Sequence, residues 1–261
     1  MERSLRHAVC FALALAIYLS GVARSRSQEA PLQLYLMADV QVEVSKVPEY
    51  EAALKALIVA LKETAFPAVF DTYATDDSRY YLIYGLESGY GAIDGLHKAW
   101  RDLASRLGPE KFQALHGRLT ALESSRILRT WTFRTDLSFL PVPERLKPGE
   151  AGYYTWDYVW LVPGKEAEFE ALNREWKTLS AAHKARDPFM TYQGGIGNEE
   201  PVYCWFEYGK SAADYALAEE KFWKSLGAEG AALSKRTRAL IRRTETKTGR
   251  YRPDLSYAPA K

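Results

Sequence analysis

Cysteine, methionine and histidine are scarce in this chain, at 2, 3 and 4 of 261 residues. One cysteine, Cys10, lies in an N-terminal apolar run expected to be removed. Cys204 then stands alone and no intramolecular disulfide can form. No pair of histidines or cysteines has the spacing of a metal site, so no metal is expected. There is no Gly-x-Ser-x-Gly nucleophile elbow. Gly194-Gly195-Ile196-Gly197 has the look of a phosphate loop, but it joins two strand-like segments and opens no helix, so it reads as a hairpin tip. Charge of one sign is also lacking: the formal net charge is +2, which argues against a nucleic-acid partner. The one basic cluster, Lys235, Arg236, Arg238, Arg242 and Arg243, shares its stretch with Ala239, Leu240 and Ile241 and reads as a solvated helix face.

Long apolar runs are limited to one. Ala8 to Leu19 follows the basic Arg3 and Arg6 and precedes the small residues Gly21-Val22-Ala23. It is shorter than the ~20 residues of a membrane span. Residues 1–23 therefore read as a signal peptide, and the expectation is a periplasmic or secreted protein without a stable membrane anchor after cleavage. An uncleaved N-terminal anchor is the alternative. Without disulfides, the exported chain must hold together through its core, which two domains of ordinary size can build.

What the chain does have is a duplication. Residues 134–141 read Arg-Thr-Asp-Leu-Ser-Phe-Leu-Pro, and residues 252–259 read Arg-Pro-Asp-Leu-Ser-Tyr-Ala-Pro. Thr72-Tyr73 and Leu107-Gly108 recur as Thr191-Tyr192 and Leu226-Gly227. So long a period marks a duplicated domain rather than a solenoid. The expected units are residues 32–140 and 153–259, with the proline-rich 141–152 as linker.

Each unit reads β-α-β-β-α-β. Leu32 to Val44 alternates with period two, as a half-buried strand does. Pro48 suits a first helical turn, and Tyr50, Leu54, Leu57 and Leu61 follow at helical spacing. Strand-like 68–74 and 80–86 flank a Thr-Asp-Asp-Ser turn. Ile93, Leu96, Trp100, Leu103 and Leu107 mark a second helix, Phe112 to Leu122 another helical segment, and 127–135 a closing strand. In the second unit strands are expected at 153–162, 189–193, 202–208 and 244–252. Helices there carry Phe169 to His183 and Tyr215 to Leu240.

This layout, with Val-Pro-Gly-Lys at 162–165 leading from strand one into helix one, resembles the dimeric α+β barrel superfamily, and within it the NIPSNAP-like and antibiotic-biosynthesis-monooxygenase-like proteins. The resemblance implies an α+β fold in which two tandem ferredoxin-like repeats form an intramolecular barrel. It covers both repeats and implies no single function. Relatives include monooxygenases, haem-degrading enzymes and isomerases.

Several residues could carry chemistry. Asp39 and Asp157 stand at equal positions in strand one, and Arg134 and Arg252 at equal positions in strand four, so each Asp is expected to approach its Arg. The pair is either an ion pair at a sheet border or the polar floor of a ligand pocket, with Asp157 a candidate base. His183 continues the apolar face of its helix, either as a packing or capping residue or as an acid/base. Tyr154, Trp156, Tyr158 and Trp160 share one strand face, Tyr203 and Trp205 another, and Tyr73 and Tyr192 recur in strand two. Such a row is either a packed aromatic core or the lining of a small-molecule pocket. His97 and His116 sit beside the stripes of their helices. The resemblance makes haem an alternative through His97, while the residues themselves call for no cofactor. The reading as a whole is a binder of a small apolar or aromatic molecule in a barrel pocket. A cofactor-independent monooxygenase-like or isomerase-like enzyme and a structural or interaction module are the alternatives.

Overall fold

A computed structural model describes residues 33–87, 89–147 and 149–259; residues 1–23, expected to be a signal peptide, and Leu32 lie outside them. The first repeat runs β1 (Gln33–Val42), α1 (Val47–Glu63), β2 (Asp71–Thr75), β3 (Arg79–Leu86), α2 (Gly91–Leu107), α3 (residues 109–120) and β4 (Glu123–Phe133). The second runs β5 (Tyr153–Leu161), α4 (Glu166–Ala182), β6 (Met190–Gly194), β7 (Val202–Gly209), α5 (Ala212–Arg238) and β8 (Ile241–Tyr251). Within each repeat the strand order is that of a ferredoxin-like sheet. Pairings β2–β8 and β4–β6 join the two sheets into one closed barrel, β1-β3-β2-β8-β5-β7-β6-β4. Closure removes every free edge, which is the reason two such sheets stay together in one chain. Gly249 is required at one seam: a Cβ there would collide with the backbone of Ala74.

Period two assigns the faces. In β1, Leu34, Leu36, Ala38, Val40 and Val42 point outward under α1, where Tyr50, Leu54, Leu57 and Leu61 cover them. Tyr35, Met37 and Asp39 point into the barrel. Each fully buried Leu or Phe contributes about 1.5–3 kcal/mol. The second repeat builds its outer core from Val159, Leu161, Phe169, Leu172, Tyr203 and Leu233. Gly108 and Gly227, matched in the repeat, both take positive φ (77° and 52°) and break the helical run at the same place. In the first repeat the interruption is followed by α3, which contains a π turn, Gln113–Gly117.

The repeated phrase is the clasp between the repeats. Each copy leaves its own sheet and packs on the other repeat. Arg134 N donates to Thr191 O (2.9 Å), and Arg252 N to Thr72 O (2.8 Å). The hydroxyls of Thr191 and Thr72 donate to Leu137 O (3.2 Å) and Leu255 O (2.7 Å), and their amides donate to Ser138 Oγ and Ser256 Oγ. Leu137 and Leu255 are fully buried.

Two expectations are corrected here. The closing strands start three or four residues earlier than expected, because polar stretches such as Glu123–Arg126 pair with β1 and leave no apolar signature. More consequentially, Asp39 and Asp157 are not equivalent. The matched irregularities fall at Gln41/Val42 and Trp160/Leu161, which aligns Asp39 with Tyr158 and Ala38 with Asp157. One residue of slip turns a side chain to the other face: Asp39 points into the barrel and Asp157 out of it.

Candidate functional site

The middle of the barrel is packed with rings. Trp156 meets Tyr73, Tyr81 and Phe206 at centroid separations of 5.3–5.4 Å. Tyr192 lies against Tyr35 and Phe133, and Trp131 against Tyr158 at 5.6 Å. Met37 and Cys204 fill the gaps, both buried. Burial pushes the Cys204 thiol well up, so it stays protonated. Tyr73, Tyr192 and Trp156 therefore belong to a core, and Trp160 stands at its end. Trp205 faces the other way: it stacks on Phe169 and donates to Asn173 Oδ1 (2.9 Å) under α4.

The expected Asp–Arg pairs do not form. Arg134 and Arg252 lie just past the ends of β4 and β8 and turn toward the opposite repeat. Arg134 donates to Glu170 Oε1 (2.6 Å) on α4 and to Asp136 Oδ1 (2.9 Å), and Tyr203 OH shares the same Glu170. Arg252 likewise donates to Glu51 on α1 and to Asp254, and Tyr80 OH donates to the same Glu51. These groups belong to the clasp and not to a pocket. Asp39 instead takes Arg79 (2.6 Å) and Arg129 from the neighbouring strands. Asp157 accepts from Thr246 Oγ1 at 2.5 Å. His183 caps the C-terminal end of α4, its amide on Leu179 O, 3.7 Å from the exposed Glu229 carboxylate and apart from both hollows described below.

Sequence reasoning passed over a cleft in the first repeat. Leu36, Ala38, Leu82 and Tyr84 on the outer sheet face, with Leu54 and Leu57 of α1, enclose about 190 Å³ beneath Leu96, His97 and Trp100 of α2, and Leu119, Arg126 and Leu128 complete it. The π turn of α3 hangs His116 over its edge. That ring stacks on Phe112 (5.0 Å, 8° between planes) and meets Trp100 edge-on (5.4 Å). π turns of this kind recur at functional sites. Burial, and then the charge of Arg126, pull the His116 pKa below the ordinary value, which leaves a neutral imidazole at pH 7. The Tyr50 hydroxyl, buried nearby in the same core, has no protein partner among the described residues. Helical periodicity assigned Leu96 and Trp100 to a core. The small Ala38 and the irregular α3 border the hollow, and periodicity reports neither.

The same face of the second repeat is polar. Thr155, Asp157, Trp205 and Glu207 stand where the first repeat has Leu36, Ala38, Leu82 and Tyr84. Glu207 accepts from Tyr215 OH at 2.5 Å. Burial, then the charge of Glu219, push its pKa up to about 8. Burial likewise raises Asp157 and Glu219.

No protein-family model matches the sequence, and neither does any curated protein. Solved structures do match the fold. A candidate monooxygenase from Lactobacillus acidophilus NCFM superposes with a TM-score of 0.53 at 11% identity, covering 87% of this chain and 96% of its own. An anthrone oxidase-like protein gives 0.55 at 13%, covering 84% and 91%. A mutant chlorite dismutase from Candidatus Nitrospira defluvii gives 0.52 at 12%, covering 86% and 93%. The fold is that of the dimeric α+β barrel. Identities this low carry the architecture and nothing of the chemistry.

Proposed function

We propose that the protein is exported and binds a small apolar or aromatic molecule, and that the ligand sits in the cleft of the first repeat rather than inside the barrel. The observation that supports this reading is the cleft itself: an apolar hollow of about 190 Å³ edged by His97, His116 and Arg126. Apolar walls with a few convergent polar groups are the usual character of small-molecule sites, although this one is below the common range of roughly 300–1,000 Å³. That size suits a ligand of one or two rings. It does not suit a haem, and the neighbouring Arg126 is already held by Glu123 (2.5 and 2.8 Å) rather than free for a propionate. The residues present do not fit that group.

A cofactor-independent monooxygenase-like or isomerase-like enzyme is the second reading, and His116 favours it. A neutral imidazole on the cleft edge can accept a proton from an acidic C–H or O–H of a bound molecule. The test is a native mass spectrum of the mature protein isolated gently from the exporting compartment, beside the cleft-filling variant Leu96→Trp. An added mass on the parent that denaturation releases and the variant lacks is expected. The same added mass on both proteins would place the ligand elsewhere.

A further inference from the structure

A second hollow, of about 170 Å³, opens at the barrel end where β1 and β5 finish and β3, β4 and β8 begin. Period two brings charge there. Arg79 lies two residues before the inward Tyr81, Arg129 two before Trp131, and Lys247 and Arg243 follow the same spacing along β8. The lining carries four cations, Arg79, Arg129, Arg243 and Lys247, against the three carboxylates Asp39, Glu199 and Glu245. Two direct partners join the count, Asp77 on Lys247 (2.7 Å) and Arg242 on Glu199 (2.8 Å), which leaves five cations against four carboxylates. Asp39, only 3% exposed, is shared by two guanidiniums, so the excess lies at the floor.

Three buried N–H groups of lining residues have no protein acceptor among the described residues: Arg79 Nε, Trp131 Nε1 and Trp160 Nε1. Trp131 is 5% exposed. Leaving a buried donor unpaired costs about 1–3 kcal/mol, and no lining side chain has the opposite deficit, a buried acceptor lacking a donor, among the described residues. A molecule complementary to this end is therefore rich in acceptors. The positive excess favours an anion over water. The walls add a body requirement: Tyr81, Tyr158, Trp131 and Trp160 present rings, and Arg243 lies 3.8 Å from the centre of the Trp160 ring. A cavity of about 150 Å³ admits benzene, so this one admits an organic acid of similar bulk.

We propose that the barrel mouth is a binding site for a small organic carboxylate. Its oxygens accept from Arg79, Trp131 and Trp160, and its apolar body lies against the tryptophan and tyrosine rings. The site is separate from the cleft of the first repeat and stands whether or not that cleft binds anything.

The experiment is calorimetric titration of the mature protein at pH 7 with benzoate, inorganic phosphate and benzylamine. Saturable benzoate binding is expected, at least tenfold tighter than phosphate, with no benzylamine binding. Trp160→Phe keeps the ring and removes one donor, so it should weaken benzoate about tenfold or more. Arg79→Gln should do the same. Because Arg79 also pairs with Asp39, the tryptophan variant carries the test if the arginine variant fails to fold. Leu96→Trp, in the other cleft, should leave benzoate affinity unchanged. The assignment is overturned if benzoate does not saturate, if phosphate or benzylamine binds as tightly, or if Trp160→Phe binds benzoate as well as the parent.

Discussion

The two repeats agree where they hold each other and differ on their outer sheet faces. Their clasps match group for group: an arginine beyond the last strand, a carboxylate on the first helix of the other repeat, a tyrosine hydroxyl on that carboxylate, and a buried Thr–Leu–Ser contact. Their outer sheet faces do not match. The first presents Leu36, Ala38, Leu82 and Tyr84 around a hollow, and the second presents Thr155, Asp157, Trp205 and Glu207 with raised carboxyl pKa values. A barrel closed from two sheets constrains the seams twice over, since each seam is made of both halves. The outer faces are constrained only by their own helices and are free to diverge.

Removing a clasp arginine should have the largest effect. Arg134→Ala leaves Glu170 with Tyr203 OH and the longer Arg174 contact (3.4 Å), and Arg252→Ala leaves Glu51 with Tyr80 OH, each in a mostly buried network. Breaking such a pair costs about 3 kcal/mol or more, and the matched geometry predicts similar losses for the two variants, measurable by urea unfolding. Unequal losses would break the equivalence of the clasps. Acid should act on the same groups. Arg134 holds the Asp136 carboxyl down at about 2, and Glu170, Glu51 and Asp254 are also lowered by their arginines. A carboxylate whose folded pKa is depressed contributes fully above its unfolded value near 4, and the contribution is lost as pH falls toward about 2. The parent should therefore lose stability between about pH 4 and 2 more steeply than either arginine variant.

The opposite sign holds on the outer face of the second repeat. Glu207 has a folded pKa raised to about 8, so the folded state binds the extra proton, and stability falls as pH rises from about 4.5 to 8. Glu207→Gln retains an acceptor for Tyr215 and removes the titration. It should raise Tm at pH 8 by at least the ~2–4 °C expected per kcal/mol in a chain of this size, and by much less at pH 5. The smallest effect belongs to His183→Ala. Its contact with the exposed Glu229 spans 3.7 Å, so stability should move by no more than about 0.5 kcal/mol, and ligand mass in the native spectrum should not change.

Much of the fold was legible because two signals are strong in one chain. Alternation over β1 and β5 assigned strands, and the recurrence of Arg-x-Asp-Leu-Ser defined the repeats. The site was less legible. The repeat spacing is 118 at the clasp and 119 in strand one, and that single residue decides whether Asp157 points into the barrel or out of it. Arg134 and Arg252 look like strand residues, yet both strands end before them, so sheet neighbours could not supply their partners. Arg79 and Arg129 were within reach, since each precedes an inward aromatic by two residues. A cleft is what packing leaves unfilled, and part of its rim comes from the π turn at Gln113–Gly117, which no spacing rule announces.

The central claim, that the first repeat alone keeps an apolar ligand cleft, is tested most directly by a methyl-resolved NMR titration of the mature protein with indole. Saturable shifts are predicted at Leu54, Leu57, Leu96 and Leu128, with the methyls of Leu172, Leu226 and Leu233 in the second repeat unmoved. Shifts confined to the second repeat, or no saturable shift at the four cleft leucines, would contradict it.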